Sequence, residues 1–162
     1  MPIDPALEIP FTVDDVEPAV GPVREVIASG RGWVNLAPDV EPGTEPPRRN
    51  LFASIFSSRG PILPLATISP AADRRDGHEG LADLALGLQH AGGPRALETL
   101  ASLGHPLPER WRKVSDHPRR GLVVSAPGTD DPHQLVRWLV GAGELLTQVE
   151  LDEGWVARVY EG

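Results

Sequence analysis

The sequence predicts one α+β domain, with an antiparallel or mixed sheet of about five to seven strands and two or three helices packed mainly on one face. Three observations carry this. Short apolar runs such as "WVNLA", "GLVVSAP" and "GWVARVY" have strand character, and Gly- and Pro-rich loops divide them, with 17 Gly and 18 Pro in 162 residues. One long segment, "DPHQLVRWLVGAGELL", instead has helical period. Finally, 40% hydrophobic and 23% charged residues are ordinary globular proportions, and a chain of this length buries about 70% of its unfolded surface, enough for one core.

Taken in order, residues 1–21 carry Asp4, Glu8, Asp14, Asp15 and Glu17, no base and several prolines, and are expected to form a flexible acidic arm. The domain is expected over 22–162. "GPVREVIASGRG" is expected as a short helix with Pro22 in its first turn, Val23, Val26 and Ile27 on one face, and Gly30 as a left-handed cap. A hairpin turning at "SGRG" is the alternative. "WVNLA" reads as a strand, and residues 38–50 read as a Pro-rich loop.

"LFASIFSSRGPILPLATISP" reads as two strands joined at "SSRGP", the second at an edge or bulged because Pro64 falls within it. "AADRRDGHEG" is expected to be an exposed loop. Leu84, Leu86 and Leu88 alternate as a strand would, whereas Leu81, Leu84 and Leu88 fit a helix; the strand, near Leu84 to His90, is preferred because Gly87 and the "GG" pair interrupt a helix. Pro94 is then expected to open a helix carrying Leu97, Leu100 and Leu103, closed by Gly104.

From Arg110 to Pro127 a hairpin is expected, turning at "DHPR". Asp131 as N-cap, Pro132 at the first position and Gln134 as capping-box partner begin the long helix, whose core stripe is Leu135, Leu139, Ala142 and Leu146. "GWVARVY" closes the chain as a strand. Trp33, Phe52, Phe56, Trp138 and Trp155 are expected in the core.

Several chemistries find no support. The net charge of −8 argues against binding nucleic acid with the whole surface. Without cysteine there is no thiol nucleophile, disulfide or Cys-ligated metal, and the five histidines never fall at a metal-binding spacing. Neither a cofactor nor a metal is expected. No segment reaches the ~18 apolar residues of a membrane span, and with no leader-like start the expectation is a cytoplasmic protein. Ser115, Asp116 and His117 contain the letters of a catalytic triad, but a triad needs serine and aspartate on opposite nitrogens of one imidazole, which three consecutive residues do not arrange. Asp116 is expected instead to form the turn, its carboxylate accepting nearby backbone N–H groups.

Two surfaces remain. In "QHAGGPR", Gly92 and Gly93 would place open backbone N–H groups before a helix, and Arg95 with Arg119 and Arg120 could neutralise a small anion or nucleotide phosphate. In "ERWRKVSDHPRR", Trp111, Arg112 and Lys113 could form a partner surface, for another protein or a second copy. Its partner acids are expected from the N-terminal arm folded over the hairpin or from a neighbouring subunit. The leading expectation is a non-enzymatic protein-binding or self-associating module, with the anion-binding domain second and an acid–base enzyme using His90 or His117 third.

Overall fold

Alternation decides the sheet: in most strands every second side chain is buried, so one face is apolar and must be covered. The computed structural model describes residues 3–39, 63–71 and 83–162. In chain order its elements are β1 (Leu7–Thr12), α1 (Glu17–Ser29), β2 (Trp33–Pro38), β3 (Leu65–Pro70), β4 (Leu84–Gln89), α2 (Ala96–Ser102), β5 (Arg112–His117), β6 (Gly121–Ala126), α3 (Pro132–Leu146) and β7 (Gly154–Tyr160). The seven strands form one sheet in the order β1-β7-β2-β3-β4-β6-β5, and every pairing is antiparallel. This is a single α+β domain with helices packed on the sheet.

The covered face carries Leu36, Ile68, Leu86, Leu88, Leu122, Val124 and Trp155, which form one core with Val20 and Val23 of α1 and Leu135, Leu139 and Leu146 of α3. On the other face Trp33 stacks on its cross-strand neighbour Tyr160 at 5.0 Å, and Thr67 donates a 2.8 Å hydrogen bond to Asn35. No described helix covers that face.

The long helix begins as expected: Asp131 accepts the His133 backbone N–H at 3.0 Å, Pro132 follows, and Leu135, Leu139, Ala142 and Leu146 are buried. Leu84–Gln89 is a strand, its three alternating leucines all buried. Gly30 caps α1 in the left-handed conformation, φ 67°, its N–H donating to the Val26 carbonyl at 2.9 Å.

Four expectations change. Residues 7–12, placed in a flexible arm, pair with β7 over six residues, because Leu7, Ile9 and Phe11 alternate and Phe11 reaches the core beside Trp155. α1 starts at Glu17 with Pro18 in its first turn, so Pro22 lies inside the helix, and Val16, Ala19 and Val20 join the core. Pro64 precedes β3 rather than interrupting it, so its missing N–H weakens no ladder and β3 occupies the middle of the sheet. Pro94 does not open α2: the cap is Arg95, the one described non-glycine residue at positive φ, 58°, and Ala96 is the first helical residue. The strand expected at Leu51–Phe56, with Phe52 and Phe56, most of the 38–50 loop and His78 lie outside the described residues.

Candidate functional site

The hairpin β5–β6 and the glycine turn, separate in sequence, meet at one end of the sheet. β4 pairs with β6 as far as Leu88 and Leu122, so the turn at residues 118–120 lies at the sheet end where β4 gives way to His90. The approach is close: Gly121 has φ 93°, and a Cβ there would stand 2.5 Å from the Leu88 carbonyl oxygen. Only glycine lets the two backbones come this near.

Asp116 joins the two segments. Alternation along β5 sends its side chain to the helix side of the sheet, with Leu122 opposite, and its two carboxylate oxygens accept the backbone N–H groups of Ala96 and Leu97 at 3.2 and 3.1 Å. These are first-turn donors of α2, which the helix itself cannot satisfy. Asp116 is therefore not the turn acceptor. That role falls to His117, whose Nδ1 accepts from Arg119 and Arg120 N–H at 3.1 and 3.2 Å. Ser115 and His117 lie on the face opposite to Asp116, which dissolves the triad letters geometrically.

One of the proposed anion donors, and the first-turn donors of α2 beside it, are engaged within the chain. Gly92 N–H donates to His90 Nδ1 at 3.0 Å, and the start of α2 already holds a carboxylate. Gly93 is buried at φ 82°, while Arg95, Arg119 and Arg120 are exposed. His90 is 1% exposed, burial pushes its pKa down, and Asp116 partly opposes that shift. Its Nε2, and Nε1 of Trp155, meet no hydrogen-bond partner among the described residues. A general base must reach its substrate's proton, and His90 is sealed from solvent.

At the other end of β5 stands the residue that sequence reasoning placed most wrongly. Trp111 is not surface: it is 3% exposed, its Nε1–H donates to Asp130 Oδ2 at 2.6 Å, and its ring meets Trp138 edge-on at 5.3 Å. Asp130, also buried, takes Arg110 on its other oxygen at 2.6 Å. A buried indole needs a partner for its N–H, and here a carboxylate nineteen residues on supplies it. The only earlier signal was the Asp130–Asp131 pair before the helix, of which Asp131 alone is needed as cap.

Beyond Trp111 the hairpin opens outward. Arg112, Lys113 and Val114 are exposed, and a β-bulge between Lys113 and Ser115 turns Val114 to solvent with 64% of its surface accessible. Arg112 reaches Asp83 only at 3.9 Å, with both side chains exposed. Because β5 is the last strand of the sheet, its outer backbone edge has no strand partner among the described residues.

A shallow groove of about 340 Å³ is lined by His105, Asp131, His133, Gln134, Arg137 and Trp138. Its polar groups are mostly occupied: His105 bonds the Trp138 carbonyl at 2.9 Å, His133 pairs with Glu17, and the His133 N–H holds the Asp131 carboxyl below its ordinary pKa. No group of three or more His, Asp or Glu that could hold a metal occurs among the described residues, and no described helix is long and apolar enough to cross a membrane. Compared with known proteins, the chain matches no family model, no curated protein and no solved structure.

Proposed function

We propose that the protein is a non-enzymatic, cytoplasmic protein-binding module whose binding surface is the basic outer edge of β5, with Arg112 and Lys113 at its centre. One observation carries this reading: Arg112 and Lys113 stand on a terminal strand, with Arg110 before it and Arg119 and Arg120 in the turn after it, and the strand's bulge presents an apolar side chain, Val114, beside them. An exposed edge binds an extended segment by strand addition, and neighbouring charges choose its sequence. Here they favour an acidic segment with an apolar residue. Trp111 serves this surface from beneath, by holding the start of the strand on Asp130.

The competing reading, a small-anion or nucleotide site at Gly92, Gly93, Arg95, Arg119 and Arg120, requires an incoming anion to displace Asp116 from α2 or to bind without the α2 donors. The two readings separate in solution. Titration with an extended acidic peptide is expected to shift the backbone amides of residues 112–120, while phosphate-bearing metabolites leave the melting temperature unchanged. Silent amides there, together with a rise in melting temperature with such a metabolite, overturn the module in favour of the anion site.

A further inference from the structure

The acids of the N-terminal segment and the bases of the hairpin lie at opposite ends of the strand order. Asp4, Glu8, Asp14, Asp15 and Glu17 are in or beside β1, which is one edge of the sheet; Arg110, Arg112, Lys113, Arg119 and Arg120 are in or beside β5, which is the other. Six strand steps separate the edges, roughly 29 Å at about 4.8 Å per step. β1 itself is fixed to β7 along its length, so the acids on it stay at their own edge.

Each edge has a small apolar centre with charges around it. Ile3 and Leu7 are 65% and 55% exposed at the acidic edge, and Val114 is 64% exposed at the basic one. Some of the charges are engaged internally, Glu8 with Arg158, Glu17 with His133 and Arg110 with Asp130. Asp4, Asp14 and Lys113 are exposed and form no ion pair among the described residues.

We infer that the partner of the β5 edge is the acidic β1 edge of a second copy of this chain, in a head-to-tail contact. This rests on the binding surface proposed above. Two-fold pairing would set like charges against each other at either edge, whereas β5 against β1 brings opposite charges and the exposed Val114 and Leu7 together. The net charge of −8 does not forbid it: at physiological salt the Debye length is about 8 Å, so a contact senses the facing edge and not the far one. Pro10 and the bulge at Val114 both interrupt a continuous ladder, so the contact is short and belongs to the weak class of interfaces. Such a contact is heterologous, and assembly continues by adding copies unless a ring closes.

Sedimentation velocity on the full chain tests this, using two charge-reversed variants altered only at exposed side chains, R112E/K113E and D4K/D14K. Wild-type protein is expected to gain weight-average mass with concentration in low salt and to lose that gain at about 0.5 M NaCl, where screening shortens the Debye length to roughly 4 Å. Each variant alone is expected to stay monomeric. Mixed one to one they are expected to regain association, because the native acidic edge of one meets the native basic edge of the other.

A wild-type chain that is monomeric at every concentration overturns the inference, as does association that survives high salt or stops at a two-fold dimer. Should a variant fail to fold, the wild-type salt series decides alone. Acidic-peptide shifts at residues 112–120 in a chain that stays monomeric would refute the second copy and leave the binding surface standing. Loss of both refutes the two together.

Discussion

The two edges of the sheet are held in different ways. β1 pairs with β7 in an unbroken register of six residues and contributes one deeply buried side chain, Phe11, to the core. β5 pairs with β6 in a register broken by a bulge and is pinned at both ends by aspartates: Asp130 holds Trp111 and Arg110 ahead of the strand, and Asp116 ties its far end to α2. A regular ladder needs few tertiary anchors. A bulged edge loses ladder bonds, and the side chains that replace them must reach deep into the molecule.

The strongest way to break this comparison is Trp111→Ala. It removes a core aromatic packed on Trp138 and leaves the buried Asp130 carboxylate without its indole donor. The expected loss is about 3–5 kcal/mol in urea unfolding. Leu7→Ala at the other edge, where the side chain is mostly exposed, is expected to change stability by less than about 0.5 kcal/mol. Losses of similar size at both positions would mean that the edges are anchored alike.

The difference between the edges also marks where the sequence could be read. Features set by near neighbours were legible: Asp131 and Pro132 starting α3, Gly30 closing α1, and the alternation of Leu84, Leu86 and Leu88. β1 had the same kind of signal in Leu7, Ile9 and Phe11, but five acids and several prolines suggested an arm that could not bury enough to fold. Pairing with β7, nearly the whole chain away, supplies the burial.

Trp111 and Asp116 were missed for a related reason. The residues beside them show only a tryptophan among cations and an aspartate before His-Pro. The groups that decide their roles, Asp130 and the first turn of α2, lie nineteen or twenty residues away. At the glycine turn the segments that could form an anion site do meet, but sequence alone did not reveal that Asp116 takes the helix donors.

A smaller effect sharpens the account of the basic edge. Asp116→Ala leaves the Ala96 and Leu97 N–H groups without their acceptor and is expected to cost about 0.5–2 kcal/mol, as loss of a helix cap does. Amide exchange is expected to speed up at Ala96 and Leu97 before it does in β6. The same substitution removes the attraction that partly offsets burial at His90, so the imidazole pKa, followed by NMR, is expected to fall further. An unchanged His90 titration together with unchanged exchange would show that Asp116 does not tie β5 to α2.

The smallest effect belongs to the acidic edge. Arg158 Nε donates to Glu8 Oε1 at 3.1 Å across the β1–β7 pair, and both side chains remain substantially exposed. Glu8→Gln keeps the shape and an acceptor oxygen while removing the charge, so the expected loss is under about 1 kcal/mol and shrinks as salt is added. If the loss instead approached that of Asp116→Ala and resisted salt, β1 would depend on a specific side-chain anchor as β5 does. A small, salt-sensitive loss leaves the backbone ladder and Phe11 as what holds β1, with the charges around it available to meet a basic partner.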